Sequence, residues 1–194
     1  MKIDFYSQRL NRTAFIKWIV VCCLPLFLAW GSARAAAQND FKVTTVYLVR
    51  HAEKAAAPAA DPPLLEAGTK RAEMLARTLS KAGITTIITS QYQRTKLTAE
   101  PLARQLGVTA TVIPVAMSTM NARELSPQYL KEVADRATVN GGNVLIVGHS
   151  NTVPELIKAL GGDILPTIDD ATYDDLFVIT VYAKGKAKVA YLKQ

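Results

Sequence analysis

The stretch "NVLIVG" (143–148) constrains the fold more than any other part of the chain. It carries hardly a polar residue. So continuous an apolar run suits a parallel strand covered by helices on both faces. Three further runs are strand-like by their β-branched content: "VTTVYLV" (43–49), "ITTIIT" (84–89) and "TATVIPV" (109–115). Helical patterns separate them. Residues 66–81 place Ala67, Met74, Leu75 and Leu79 along one face, and Gly83 closes the segment. Residues 90–107 read as a helix from near Ser90 to Gly107, with a kink or restart expected at Pro101. Residues 126–138 start with Ser126 as N-cap and Pro127 at the first position. Residues 151–162 open with Thr152-x-x-Glu155, the pattern of a capping box, and carry Pro154 in the first turn. At the C-terminus, "LFVITVY" (176–182) and "AKVAYLK" (187–193) flank "AKGK", which predicts an antiparallel hairpin. This alternation predicts a three-layer α/β/α sandwich with a mainly parallel central sheet. Such sheets bind ligands beyond the C-terminal ends of their strands.

The N-terminus differs in character. Lys2, Arg9, Arg12 and Lys17 precede "WIVVCCLPLFLAW" (18–30), which is uncharged, and "GSARAAAQ" (31–38) follows. Basic, then apolar, then A-x-A is the layout of a secretory signal peptide. The apolar run is shorter than the roughly 20 residues of a membrane span, and Pro25 weakens a spanning helix. The expected organisation is therefore a signal peptide over 1–37, or an uncleaved anchor there, followed by one domain over 38–194. A periplasmic or secreted location follows, with membrane contact only through that segment. Removing 1–37 leaves 18 basic against 15 acidic residues, so the net charge falls from +7 to +3. With no aromatic-basic stripe, nucleic acid is not an expected partner. Cys22 and Cys23 both lie in the apolar run, so the remaining domain has no disulfide to form.

Chemistry-bearing residues gather at the predicted strand exits. The first strand leads to Arg50 and His51, the second to Ser90 with Arg94 one helical turn on, and "NVLIVG" to His149, Ser150 and Asn151. "TVIPV" leads to a loop with Arg123 and Glu124. The chain has only two histidines, and both stand at such exits. Arginine forks match phosphate oxygens, and the helix after His149 offers its N-terminus to an anion. A metal is a poor fit, because the arginines repel a cation and no H-x-x-x-H spacing exists. A neutral imidazole can attack phosphorus, provided its second nitrogen donates to a backbone carbonyl.

"VRHAEK" (49–54), "SQYQRTKLTAEPLA" (90–103) and "GHSNTVPELIKAL" (148–160) together resemble the three blocks of the histidine phosphatase superfamily, also called phosphoglycerate-mutase-like. The resemblance runs from about residue 43 to 182 and looks like a small branch-one member without a cap domain. It implies that His51 is the phosphorylated nucleophile, that Arg50, Arg94 and His149 hold the phosphate, and that Asn151 assists. It implies no cofactor. Ser150 stands where the larger acid phosphatases usually have an aspartate, and Leu65 where relatives often have threonine. The general acid is expected at Glu124, with Glu53 the alternative unless Glu53 orients Arg50. The implied activity is a metal-independent phosphatase acting on a small-molecule or glycan phosphate. The alternatives are a phosphomutase, or a binding module that kept the pocket without catalysis.

Overall fold

The computed structural model describes residues 41–163 and 168–194. The expected leader over 1–37 and both cysteines lie outside the described residues. The strands are β1 (Thr44–Arg50), β2 (Ile84–Thr89), β3 (Thr111–Val112), β4 (Gly142–Gly148), β5 (Asp175–Ala183) and β6 (Lys186–Lys193). The helices are α1 (Glu66–Leu79), α2 (Gln93–Leu106), α3 (Pro127–Thr138) and α4 (Thr152–Ala159). One sheet has the order β3-β2-β4-β1-β5-β6. Its first four strands are parallel; β5 and β6 join antiparallel.

The apolar run of β4 explains the layering. Val144 and Ile146 pack on one side, with Val46 and Leu48 of β1, against Tyr129 and Val133 of α3 and Leu156 and Ile157 of α4. Leu145 and Val147 pack on the other, with Val49, against Leu75 and Leu79 of α1 and Ala99 and Leu102 of α2. Each fully buried Leu, Ile or Val contributes about 1.5–3 kcal/mol. A strand with both faces covered thus anchors two helix layers, and the expected sandwich forms.

Some local expectations are corrected. β3 is two residues long rather than seven: Pro114 has no N–H for a ladder, and the Val115 amide donates to the Gln91 side chain. α2 starts at Gln93, because Ser90–Tyr92 form a turn, and it runs through Pro101 without a restart. Its first amide, Gln93 N–H, is capped from outside by Asp61 Oδ1 at 2.8 Å. Ser126 holds the N-cap position, but its hydroxyl donates to Gln128 and caps no backbone amide. The capping box of α4 does not form. Asn151 is the N-cap residue, and Thr152 Oγ1 instead accepts from the His149 amide at 2.7 Å.

Candidate active site

The register of the parallel strands brings the two histidines together. Arg50 of β1 lies opposite Gly148 of β4, so the next residues of each strand, His51 and His149, are neighbours. His51 N–H donates to Gly148 O at 2.9 Å and extends the ladder by one rung. The ring centroids are 5.3 Å apart, close to the spacing of adjacent strands. Both side chains are buried, at 3% and 8% exposure. They line a hollow of about 310 Å³ together with Arg50, Lys54, Tyr92, Arg94, Ser150, Asn151 and Asp170. A larger groove of about 530 Å³ lies among Leu130, Ala134 and Leu160 of the α3–α4 side, but it holds no histidine and no nucleophile cluster.

His51 has a defined tautomer. Its Nδ1 lies 2.8 Å from Ala52 O, an oxygen that only accepts, so Nδ1 carries the proton and Nε2 keeps a lone pair. Ala52 is itself held, since its amide donates to Thr98 Oγ1 at 2.9 Å and Thr98 donates to Arg94 O at 2.7 Å. On the other side, Leu65 N–H donates to Glu53 O at 2.9 Å. Gly68 of α1 packs so close that a Cβ there would meet Glu53 O at 2.3 Å. The segment after β1 is thus clamped between α1 and α2. Burial lowers the His51 pKa to about 4. The Ala52 carbonyl opposes the drop, and Arg50, Arg94 and Lys54 add to it. His149 is lowered to about 3 by burial, with His51, Arg94 and Arg50 contributing. Both rings are neutral at pH 7.

The two arginines are held differently. Arg50 Nη1 donates to the carbonyls of Asp169, Asp170 and Thr172 at 2.8, 3.0 and 3.1 Å, and its guanidinium lies 4.3 Å from the Tyr173 ring. Its Nη2 meets the Asp170 carboxylate at 3.3 Å. Arg94 lies 4.2 Å above the Tyr92 ring and 3.8 Å from Asp61. Burial lowers its pKa from the ordinary value, with Tyr92 and Asp61 opposing. Arg50 Nε and Arg94 Nε are both buried without an acceptor. An unpaired buried N–H costs about 1–3 kcal/mol.

The structure therefore brings together Arg50, His51, Arg94, His149 and Asn151. It does not bring Glu124 to them. That carboxylate accepts from Asn121 Nδ2 at 2.7 Å on an exposed loop, and it does not line the hollow. Glu53 does not orient Arg50; it is paired with Arg71 of α1 through contacts of 2.7–3.0 Å. Burial would raise its carboxyl, but the Arg71 hydrogen bonds outweigh that and hold it below the ordinary value. Sequence reasoning passed over Ser90 as a contact of His149, and it missed Thr98, Tyr92 and Lys54, although all four sit within the quoted motifs. It also missed Asp170 and Tyr173. The signal for those two was topological, since an antiparallel strand such as β5 begins at the edge where the parallel strands end.

At that edge the sandwich carries a hollow lined by two neutral histidines and ringed by cations. The model of the histidine phosphatase superfamily (branch 1) matches residues 46–117, which include Arg50, His51 and Arg94. A protein named probable phosphoglycerate mutase GpmB, from Cronobacter sakazakii, is 40% identical over 135 residues, 64% of this chain and 63% of that protein. The chain thus aligns with less than two thirds of that relative. Among solved structures, the protein histidine phosphatase SixA complexed with tungstate superposes with a TM-score of 0.62 at 20% identity, over 77% of this chain and 97% of that one. A structure from Agrobacterium tumefaciens assigned as a phosphohistidine phosphatase, SixA, gives 0.56 at 27% identity, over 78% and 99%. A phosphoglycerate mutase from Bacillus anthracis gives 0.60 at 19%, over 79% and 94%. Over residues 46–117 the chain is similar to the histidine phosphatase superfamily (branch 1), and its fold is that of the solved histidine phosphatases and phosphoglycerate mutase it superposes on.

Proposed function

We propose that this chain is an exported phosphatase that hydrolyses phosphate monoesters through a phosphohistidine intermediate on His51. The observation that carries the proposal is the Nδ1–H to Ala52 hydrogen bond, which leaves Nε2 of a neutral, immobilised ring as a nucleophile among guanidinium groups. In the proposed reaction Nε2 attacks phosphorus, and the bond from phosphorus to the leaving oxygen, or to the leaving nitrogen of a phosphorylated imidazole, breaks with its electron pair. Arg94, Arg50 and His149 hold the phosphoryl oxygens, with Asn151 at the start of α4 assisting. Water then attacks the phosphohistidine and releases phosphate. No metal or cofactor takes part in this scheme. Export rests on the basic, apolar and small-residue order of 1–37.

The lining of the hollow bears on the leaving group. Asp170 is the one carboxylate lining the hollow among the described residues, and it accepts from Arg50. Leaving groups that depart without a donated proton, such as a phenolate, or that bring one, such as a phosphorylated imidazole, therefore fit the hollow best. The names of the SixA neighbours agree with the second kind. The test is hydrolysis of an aryl phosphate and of phosphohistidine, with and without chelator, by the protein and by His51→Asn. Turnover that survives chelation and disappears in the variant is the expected result. The absence of Glu124 from the hollow also favours a non-catalytic phosphate binder; vanadate binding with no turnover of either substrate would establish that reading instead.

A further inference from the structure

His149 is held by a relay that fixes which of its nitrogens carries the proton. Its Nε2 lies 2.9 Å from Ser90 Oγ, and Ser90 Oγ lies 2.9 Å from Thr95 Oγ1. Thr95 Oγ1 in turn reaches Tyr92 O at 2.9 Å and Ser90 O at 3.2 Å. Ser90, Thr95 and His149 are all buried. A hydroxyl has one proton, and a carbonyl only accepts. Thr95 gives its proton to the carbonyls, so toward Ser90 it accepts. Ser90 gives its own proton to Thr95, so toward His149 it accepts as well. The imidazole must then donate from Nε2. Nδ1 has no protein partner among the described residues, and it is not among the buried atoms left without one, so it opens onto the hollow. Burial leaves this ring with a single proton.

We infer that Ser90 and Thr95 are positioning residues that lock His149 in the Nε2–H tautomer, so that the hollow takes the proton-bearing form of a phosphate. A lone pair at Nδ1 repels a phosphate dianion but accepts from a P–OH group. One proton is then shared between Nδ1 and a phosphate oxygen, and the complex holds one proton more than empty protein plus dianion. This inference rests on the reading of the hollow as a phosphate site. It adds a selection rule that the arginines alone cannot supply, because guanidinium groups favour the dianion. The groups facing His149 are His51, Arg50 and Lys54 from the end of β1, Tyr92 and Arg94 at the start of α2, and Asp170 from the loop before β5. The neutral His51 adds no charge.

The test measures inorganic phosphate affinity by calorimetry, which needs no turnover. For the unmodified protein the Kd is expected to rise roughly tenfold per pH unit between about pH 7.5 and 9. In Ser90→Ala the ring can turn to the Nδ1–H tautomer and donate to the dianion, so the dependence flattens. A flat profile in the unmodified protein, or an equal slope in Ser90→Ala, overturns the inference. Should Ser90→Ala fail to fold, ¹⁵N–¹H correlation of the ring nitrogens in the unmodified protein decides: Nε2–H supports the lock, and Nδ1–H overturns it. Failure to bind phosphate at any pH would instead overturn the underlying reading of the hollow.

Discussion

The two buried histidines make stability depend on pH in a window that no other side-chain type shares. Both are in the hollow, and the chain has no third. Their folded pKa values, about 4 and about 3, lie below the ordinary 6.5. The unfolded chain therefore binds protons that the folded chain refuses, and stability falls as pH drops below about 6.5. Between pH 7 and pH 5 an unfolded histidine gains roughly 2 kcal/mol by protonation while the folded one gains almost nothing, so the pair loses about 4 kcal/mol. That is a large share of the 5–15 kcal/mol that holds a typical domain together. Carboxylates such as Glu53 also oppose acid, but their effect begins lower. The assay is urea unfolding at pH 7 and pH 5 on the protein and on His51→Gln/His149→Gln. The protein should lose about 4 kcal/mol, and the double variant should lose little. Equal losses in both, or no loss in the protein, would refute the claim that both rings are folded in neutral.

Other consequences are simpler to read. Gly68→Ala places a methyl against Glu53 O and must push the His51–Glu53 segment or α1 aside; a kcat loss of tenfold or more with the fold intact by circular dichroism is expected. Asp170→Asn removes the carboxylate that occupies Arg50 Nη2, so vanadate should bind several-fold tighter by competition assay. Glu124→Gln should leave the kcat for an aryl phosphate within about twofold, since a contributing general acid would cost 10²–10⁴-fold.

The parts of the molecule that depend on chain periodicity were legible in the sequence. Buried parallel strands are apolar throughout, helices mark their faces, and both histidines follow such strands by one residue. Pairing choices were less legible. Glu53 is three residues from Arg50 in sequence yet pairs with Arg71, because α1 packs against the segment after β1 at Gly68 and carries Arg71 to it. Glu124 is the only acid between Glu100 and Glu132, but the path of its loop turns the carboxylate to Asn121. Asp170 and Tyr173 come from "IDDATYDD", which has no motif; because β5 runs antiparallel to β1, Asp170 lines the hollow and Tyr173 lies against Arg50 and His51. The shortness of β3 was half legible: Pro114 marks its limit in the sequence, but the Val115 amide's turn to the Gln91 side chain does not show there.

The central claim is that Nε2 of His51 becomes covalently phosphorylated. Rapid chemical quench during turnover of an aryl phosphate, followed by peptide mass spectrometry, addresses it most directly. The account predicts a phosphoryl group on His51, lost in acid and stable in base, that forms and decays as fast as turnover. A phosphoryl group on Ser90 or any other residue, or full turnover with none trapped on His51→Asn and on the protein alike, would contradict it.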